Sequence, residues 1–442
     1  MVLATTGIAR PPHRPGAGDP LRWFDGVWTA VALGAILFSY SFGAKGVLLI
    51  LLLMPTYIAV RWRSFPGLLL TIAPILLLPA FAVLSALWSL KPESTFYYGV
   101  QYFLTVMIGA TIGAGTDRRQ ALAGIFTAFA ILAVSNLLFG RDVGWGGGGA
   151  SRVTTAFAGL FGSKNTAADT AAVGVLVGVA MLISSLRDRR LIVALLALLV
   201  LSTDLWILRR AESTGALVAC LLGMVAMVGW NISRLLSSQT RTASFLALGG
   251  LAAIAAALQS FWREPLTATL LEATGKDPTL TGRTYIWERA FALIETRPAL
   301  GLGYNAFWYH GNIEAEGLWL FAGIGERTGF NFHNTFIEIL VHLGIVGLML
   351  YATVVLSHFF LLIVRTARAP TDLGILFTAY LSYVAVRLTI ETQAFGPFSF
   401  STTMVMAGLA CAARKVPREP KALARHTRLS VKGTWRSSAL AI

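Results

Sequence analysis

Residues 332–351, FHNTFIEILVHLGIVGLMLY, form an apolar run whose entrance is polar. His333 and Asn334 stand at its mouth, Glu338 follows one turn later, and His342 lies inside the run. Asn334, Glu338 and His342 recur at i, i+4 and i+8, which puts one polar stripe on an otherwise apolar helix. Asn334 is placed to cap the first turn with its side-chain carbonyl. Polar and ionisable groups at membrane depth face a bundle interior and mark functional sites by default. Two readings of Glu338 and His342 stand side by side: a functional pair, or two groups that satisfy each other and hold helices together. His333 differs, because at the mouth it meets water and a polar substrate. An imidazole, which ordinarily titrates near pH ~6.5, suits general-base work there.

Base chemistry on a polar substrate needs a partner for the charge that develops elsewhere, and the cations outside the topogenic clusters are mostly arginines. Arg141, Arg152, Arg209, Arg210, Arg263, Arg283, Arg289, Arg297 and Arg327 make up this set. The planar guanidinium fork matches phosphate oxygens two at a time. Arg283 follows Gly282 at the head of an amphipathic stretch, where free backbone N–H groups also favour anions. Arg209 and Arg210 sit at a membrane edge against the inside-positive trend and call for an anionic partner. Arg141, Arg263, Arg289 and Arg327 read as headgroup contacts or solvated surface charge. The outer loops hold no Asp-x-Asp-like pair, which fits a site without a metal, and no cofactor is implied.

The elements that position these residues are apolar helices. The chain has 442 residues, 56% of them hydrophobic and only 13% charged, outside the usual balance of soluble proteins. Apolar stretches near 24–42, 46–60, 67–88, 96–114, 120–139, 166–186, 191–208, 213–230, 243–261, 335–364, 373–391 and 398–413 predict an all-α polytopic membrane protein of about twelve spans. The net charge of +15 does not point to nucleic acid. Of the 36 basic residues, 22 fall in short segments that share one side if both termini are cytoplasmic. Residues 1–23, Pro-, Gly- and Arg-rich without the apolar run of a signal peptide, read as a cytoplasmic tail. Residues 414–442 read as a basic cytoplasmic tail suited to anionic headgroups. Cys220 and Cys411 lie in apolar stretches as packing residues.

This topology leaves two large segments outside: the Gly-rich loop 140–165 and a long loop, 262–334, between spans nine and ten. Within the second, Ile286, Trp287, Ala290, Phe291, Leu293 and Ile294 share one helical face, and Pro298 follows the end. GLGYNAFW then makes a Gly-rich turn.

Four stretches carry a family likeness: ALWSLKPESTFYYGVQYFLT (86–105), GLFGSKNTAAD (159–169), TGRTYIWERAFALIETRPALGLGYNAFW (281–308) and FHNTFIEILVHLGIVGLMLY (332–351). They are similar in turn to the Trp-Ser-x-x-Pro, Gly-x-Phe…Asn, Gly-Arg…Trp…Pro…Gly-x-Gly and His-Asn…Gly motifs of one group. The chain resembles the O-antigen ligase and O-antigen polymerase superfamily, which includes exopolysaccharide polymerases, over about residues 30–412. The resemblance implies a metal-independent, inverting membrane glycosyltransferase of the GT-C type in the bacterial inner membrane. Such an enzyme moves a glycan from undecaprenyl diphosphate to an acceptor hydroxyl at the periplasmic face. By carry-over His333 is the base and Arg283 holds the diphosphate. Lys164 is a further diphosphate contact, and Asn165, Trp287, Asn334 and Glu338 stand in support. The group's Ser-Arg-Gly motif before span eight is replaced here by Ser213-Thr214-Gly215, which leaves Arg209 or Arg210 to supply the missing cation.

Within the group a polymerase joins lipid-linked repeat units, whereas a ligase passes finished polymer to lipid A core. The Lys164-Asn165 and Ser213-Thr214-Gly215 details favour the polymerase. A lipid-linked glycan transporter is the third reading. Transporters build midplane sites from interrupted helices or internal repeats, and the sequence shows no repeat.

Overall fold

Polar residues stop and start the apolar stretches. The side chain of Asp117 accepts from the Arg119 and Gln120 amides, Ser163 from Thr166, Thr371 from Gly374, and Asn334 from Phe336 and Ile337. Each satisfies an N–H that a helix start leaves open. The computed structural model describes residues 20–145, 154–257, 283–325, 327 and 330–414. The N-terminal tail with Arg10 and Arg14, the glycine run with Arg152, loop residues 258–282 with Arg263, and the basic tail beyond Arg414 lie outside the described residues.

The helices are α1 (Arg22–Leu37), a single-turn α2 (Ser39–Phe42), α3 (Ala44–Arg61), α4 (Phe65–Leu84), α5 (Pro92–Ala110), α6 (Arg118–Phe139), α7 (Lys164–Arg187), α8 (Leu191–Arg210), α9 (Thr214–Ser233), α10 (Ser238–Ala257), α11 (Arg283–Thr296), α12 (Ile313–Phe321), α13 (Thr335–Arg368), α14 (Asp372–Arg387) and α15 (Phe400–Ala413). All twelve apolar stretches contain a helix. Among the described residues six segments are long and apolar enough to cross a membrane by length and composition: Phe65–Leu87, α6, α7, α8, α9 and α13. Helix α7 is the most enclosed of them and packs on α8, α9 and α14, while α6 lies on α1 and α5 on α4 and α15. Leu70, Ile192 and Val225 on the outer faces stay exposed, a surface suited to hydrocarbon rather than water.

Two elements depart from the sequence expectation. The Gly-rich loop contains a hairpin, β1 (Arg141–Trp145) antiparallel to β2 (Thr154–Gly159). Its Phe157 is buried against Trp206. Helix α14 stops at Arg387, short of the expected 391, so residues 388–399 form a connection to α15.

Helix α13 is interrupted at Gly344, which adopts φ 63° and ψ −166°. The turn after α11 fills the gap. Leu302 N donates to Val341 O (2.9 Å) and Gly303 N to His342 O (2.9 Å), while Ile345 N donates to Pro298 O (2.9 Å) and Val346 N to Ala299 O (3.2 Å). Four main-chain groups freed by the break are thus paired by one turn, as a low-dielectric setting requires. A Cβ on Gly344 would collide with Ala299 O, and one on Gly301 would come within 2.6 Å of the His342 backbone. The same turn is pinned from the α4–α5 connection. Trp88 Nε1 donates to Leu300 O (3.0 Å), Leu90 N to Leu302 O (2.9 Å), and Tyr304 N to Ser85 Oγ (2.9 Å). Three of the four motif stretches therefore meet at one interlock, which sets where α13 begins.

Candidate active site

The residue before His333 is fixed first. Phe332 N donates to Glu338 Oε2 (2.8 Å), and Phe332 O accepts from Trp287 Nε1 (2.8 Å), so α11 and α13 both grip it. His333 itself has φ 50°, a left-handed backbone that a non-glycine residue adopts at a cost. Its N–H donates to Asn331 Oδ1 (2.7 Å), which also accepts from Thr392 Oγ1 (3.1 Å). Asn334 caps α13 and its amide donates to Thr389 O (3.1 Å). Thr335 completes the tie: its N–H donates to Leu388 O (2.9 Å) and its hydroxyl to Glu391 O (2.9 Å).

These ties bring the connection 388–399 beside His333, and Glu391 is its centre. Glu391 Oε2 lies 2.9 Å from His333 Nδ1. Its Oε1 accepts from Arg283 Nη2 (2.9 Å) and Asn165 Nδ2 (3.0 Å), and Arg387 Nη2 lies 3.8 Å away. Arg283 Nη1 donates to Ile390 O (2.5 Å). Ser213 Oγ in turn donates to Asn165 Oδ1 (3.3 Å). Burial alone would raise the Glu391 carboxyl. The charge and hydrogen bond of His333, then Arg387 and Arg283, outweigh it and bring the pKa down from 4.5 to about 2. An ionised carboxylate only accepts, so Nδ1 of His333 must carry the shared proton. In the neutral ring the lone pair then sits on Nε2, the tautomer of a base. The His333 side chain keeps 23% of its exposure, against 10% for Glu391.

Beneath Glu391 lies a buried second layer. Arg387 is 2% exposed and pairs with Asp169 of α7 (Nε–Oδ1 2.8 Å, Nη2–Oδ2 3.0 Å). Asp169 also accepts from the Tyr383 hydroxyl (2.5 Å) and Gln393 Nε2 (3.2 Å). A cation with so little access to water requires such a partner. Space for it comes from Gly215, where a Cβ would lie 2.8 Å from Arg387 Nη1.

The structure brings His333, Arg283, Asn165, Asn334 and Trp287 together, with Lys164 next to Asn165 at the first turn of α7. Glu338 and His342 do not hydrogen-bond each other. Their nearest approach is 3.5 Å, and among the described residues His342 Nε2 has no hydrogen-bond partner. Each holds main chain instead, Glu338 at Phe332 and His342 through Nδ1, which accepts from Asn305 N (3.0 Å). Arg210 pairs with Asp142 (2.8 Å) of the hairpin and lies over the Phe157 and Trp206 rings. Among the described residues no contact joins Arg209 or Arg210 to the His333 cluster. The cation beside Ser213-Thr214-Gly215 is Arg387. Sequence reasoning missed Arg387, Glu391 and Asp169, because span eleven covers the first two and span six covers Asp169. The signal available was the Arg387/Glu391 spacing of i, i+4, with Thr389, Thr392 and Gln393 breaking the apolar run.

A family model described as O-Antigen ligase matches residues 199–352, from α8 to α13. The "Exopolysaccharide production protein ExoQ" of Rhizobium meliloti (strain 1021) is 32% identical over 364 residues, covering 78% of this chain and 77% of that protein. The chain belongs to the O-antigen ligase and polymerase superfamily. Its members process glycans in polysaccharide biosynthesis, and the apolar helices fit a multi-pass membrane protein. The matched region ends on α13 and so contains His333, Arg283 and the α11–α13 part of the interlock, whereas Ser85, Trp88, Leu90, Asn165, Asp169, Arg387 and Glu391 lie outside it.

Proposed function

We propose that the chain is a metal-independent, inverting glycosyltransferase of the GT-C type in the bacterial inner membrane, with about twelve spans and both termini cytoplasmic. It joins repeat units of an exopolysaccharide or O-antigen at the periplasmic face, moving glycan from undecaprenyl diphosphate to a sugar hydroxyl on a lipid-linked acceptor. The observation that carries this reading is the His333–Glu391 pair beside Arg283, a poised base next to a phosphate-binding fork at the mouth of α13. His333 Nε2 removes the acceptor hydroxyl proton as the oxygen attacks the anomeric carbon. The bond from that carbon to the diphosphate oxygen breaks, and its electron pair leaves on undecaprenyl diphosphate. Arg283 binds the departing charge, with Lys164 as a second cation, and fixed charge in a water-poor site is worth most at that step. Asn334, Asn165 and Trp287 hold the frame.

A second reading, ligation of finished polymer to lipid A core, draws on the printed description of the matching family. The glycans of a strain lacking the protein separate the two. Accumulation of single repeat units on the lipid carrier supports repeat joining. Long chains on the carrier with none on lipid A core support ligation. An unchanged glycan profile would sink both.

A further inference from the structure

We propose that Glu391 is a built-in counter-ion which the donor's diphosphate displaces from Arg283, so that one carboxylate couples donor binding to the positioning of His333. The inference rests on the donor assignment above and extends it to a residue that assignment does not use. Both terminal nitrogens of Arg283 are already engaged, Nη1 by Ile390 O and Nη2 by Glu391 Oε1. A diphosphate that takes both terminal nitrogens competes at Nη2 with the Glu391 carboxylate already seated there. Arg283 opens α11, on the long loop, whereas Asn165, Arg387 and Asp169 belong to the bundle. When Arg283 turns to a diphosphate, Glu391 keeps Asn165 and His333 and still has Arg387 at 3.8 Å. Asp169, the nearest other carboxylate to Arg387, is itself held by Arg387, Tyr383 and Gln393 and does not compete for His333. The carboxylate charge shared with Arg283 in the resting site then falls more fully on the imidazole N–H. The base is best oriented only after the donor has arrived, which makes donor binding precede acceptor activation.

Glu391→Gln gives the exchange a sign that a scaffold role does not share. The amide removes the competing negative charge, and its NH2 group can donate to Nδ1, which moves the ring proton to Nε2 and disables the base. Binding of undecaprenyl diphosphate to the full-length protein in lipid nanodiscs should become about 5-fold tighter. Polymer made by a deletion strain complemented with the same variant should fall on the order of 10³-fold. Glu391→Asp keeps the buried charge but draws it back by a methylene, and should tighten binding by a smaller factor, roughly 2-fold. Weaker undecaprenyl diphosphate binding in both variants, alongside lost polymer, would overturn the exchange and leave Glu391 as the support of Arg283. Absence of saturable binding by the unmutated protein would remove the donor assignment itself and the exchange with it.

Discussion

The two ends of the bundle are each tied by a carboxylate, and the ties differ in the kind of partner each one takes. At the end opposite His333, Asp372 at the start of α14 accepts from Arg187, Arg234 (2.5 Å) and Ser184 Oγ (3.0 Å), joining α7, α9 and α14. Near the other end of α14, Glu391 takes Arg283, Asn165 and His333. The Asp372 partners are permanent cations and a hydroxyl, so that hub has one protonation state at any working pH and can only hold. The Glu391 hub includes an imidazole with its second nitrogen uncommitted to the carboxylate, on a residue held at φ 50°. A salt-bridged hub of permanent charges reads as structure; adding one titratable member in a strained backbone turns the same design toward chemistry.

The comparison breaks most sharply at His333. His333→Ala should lower polymer output by about 10²–10⁴-fold, the usual share of a general base, while undecaprenyl diphosphate binding to the purified protein stays intact. If binding is lost too, the imidazole is holding the site together and the contrast between the ends fails. Stability in acid sharpens the point. A carboxyl whose pKa is lowered on folding adds stability that is fully present above its ordinary 4.5 and is lost as pH falls through about 2. The Glu391 contribution should therefore be unchanged between pH 7 and 5, and circular dichroism across that range should show no unfolding from this hub.

Next in size is the layer below. Arg387→Met leaves Asp169 buried against Tyr383 and Gln393 with its cation gone, and a broken buried pair costs about 3–5 kcal/mol. Thermal unfolding in detergent should register that loss directly. A variant that melts like the unmutated protein would mean the pair contributes nothing to the frame beneath Glu391.

Much of this was legible in the sequence. Each of the twelve apolar stretches contains a helix, the backbone form that apolar surroundings favour, and six described segments are long and apolar enough to cross a membrane by length and composition. Asn334 caps its helix as its type and position predict. The amphipathic stretch forms α11, with Ile286 and Ala290 buried and Trp287, Leu293 and Ile294 packed beside them, though Phe291 faces out at 52% exposure. The Glu391 hub was not legible, because its members come from α7, α11, the α13 mouth and the connection after α14, and no spacing rule links such distant positions. Apolar runs also conceal their own ends. Arg387 reads as a span residue until Asp169 is known to face it. The break in α13 was equally hidden, since Gly344 in an apolar run signals a break only when the turn that fills it is seen.

At the opposite end, Asp372→Asn tests the claim that this hub only holds. Arg187 is 45% exposed, so solvent screens much of its attraction, and the loss should stay near about 1 kcal/mol. A melting point lowered by a few degrees with polymer output unchanged at permissive temperature is the expected pair of results. Loss of polymer without loss of stability would give this end a part in the reaction.

The smallest effect belongs to Arg210, and it bears on how a cation is recruited to a site. Arg210 and Asp142 are both about two-fifths exposed, and the guanidinium already lies over two aromatic rings. An exposed pair of this kind contributes about 0–1 kcal/mol. Arg387, not Arg210, occupies the space that Gly215 leaves open beside Asn165 and Glu391. Arg210→Ala should accordingly change undecaprenyl diphosphate binding by less than about 2-fold, whereas Arg283→Ala should weaken it by about 10-fold or more. Equal losses from the two variants would return the missing family cation to Arg210 and place the hairpin over the donor.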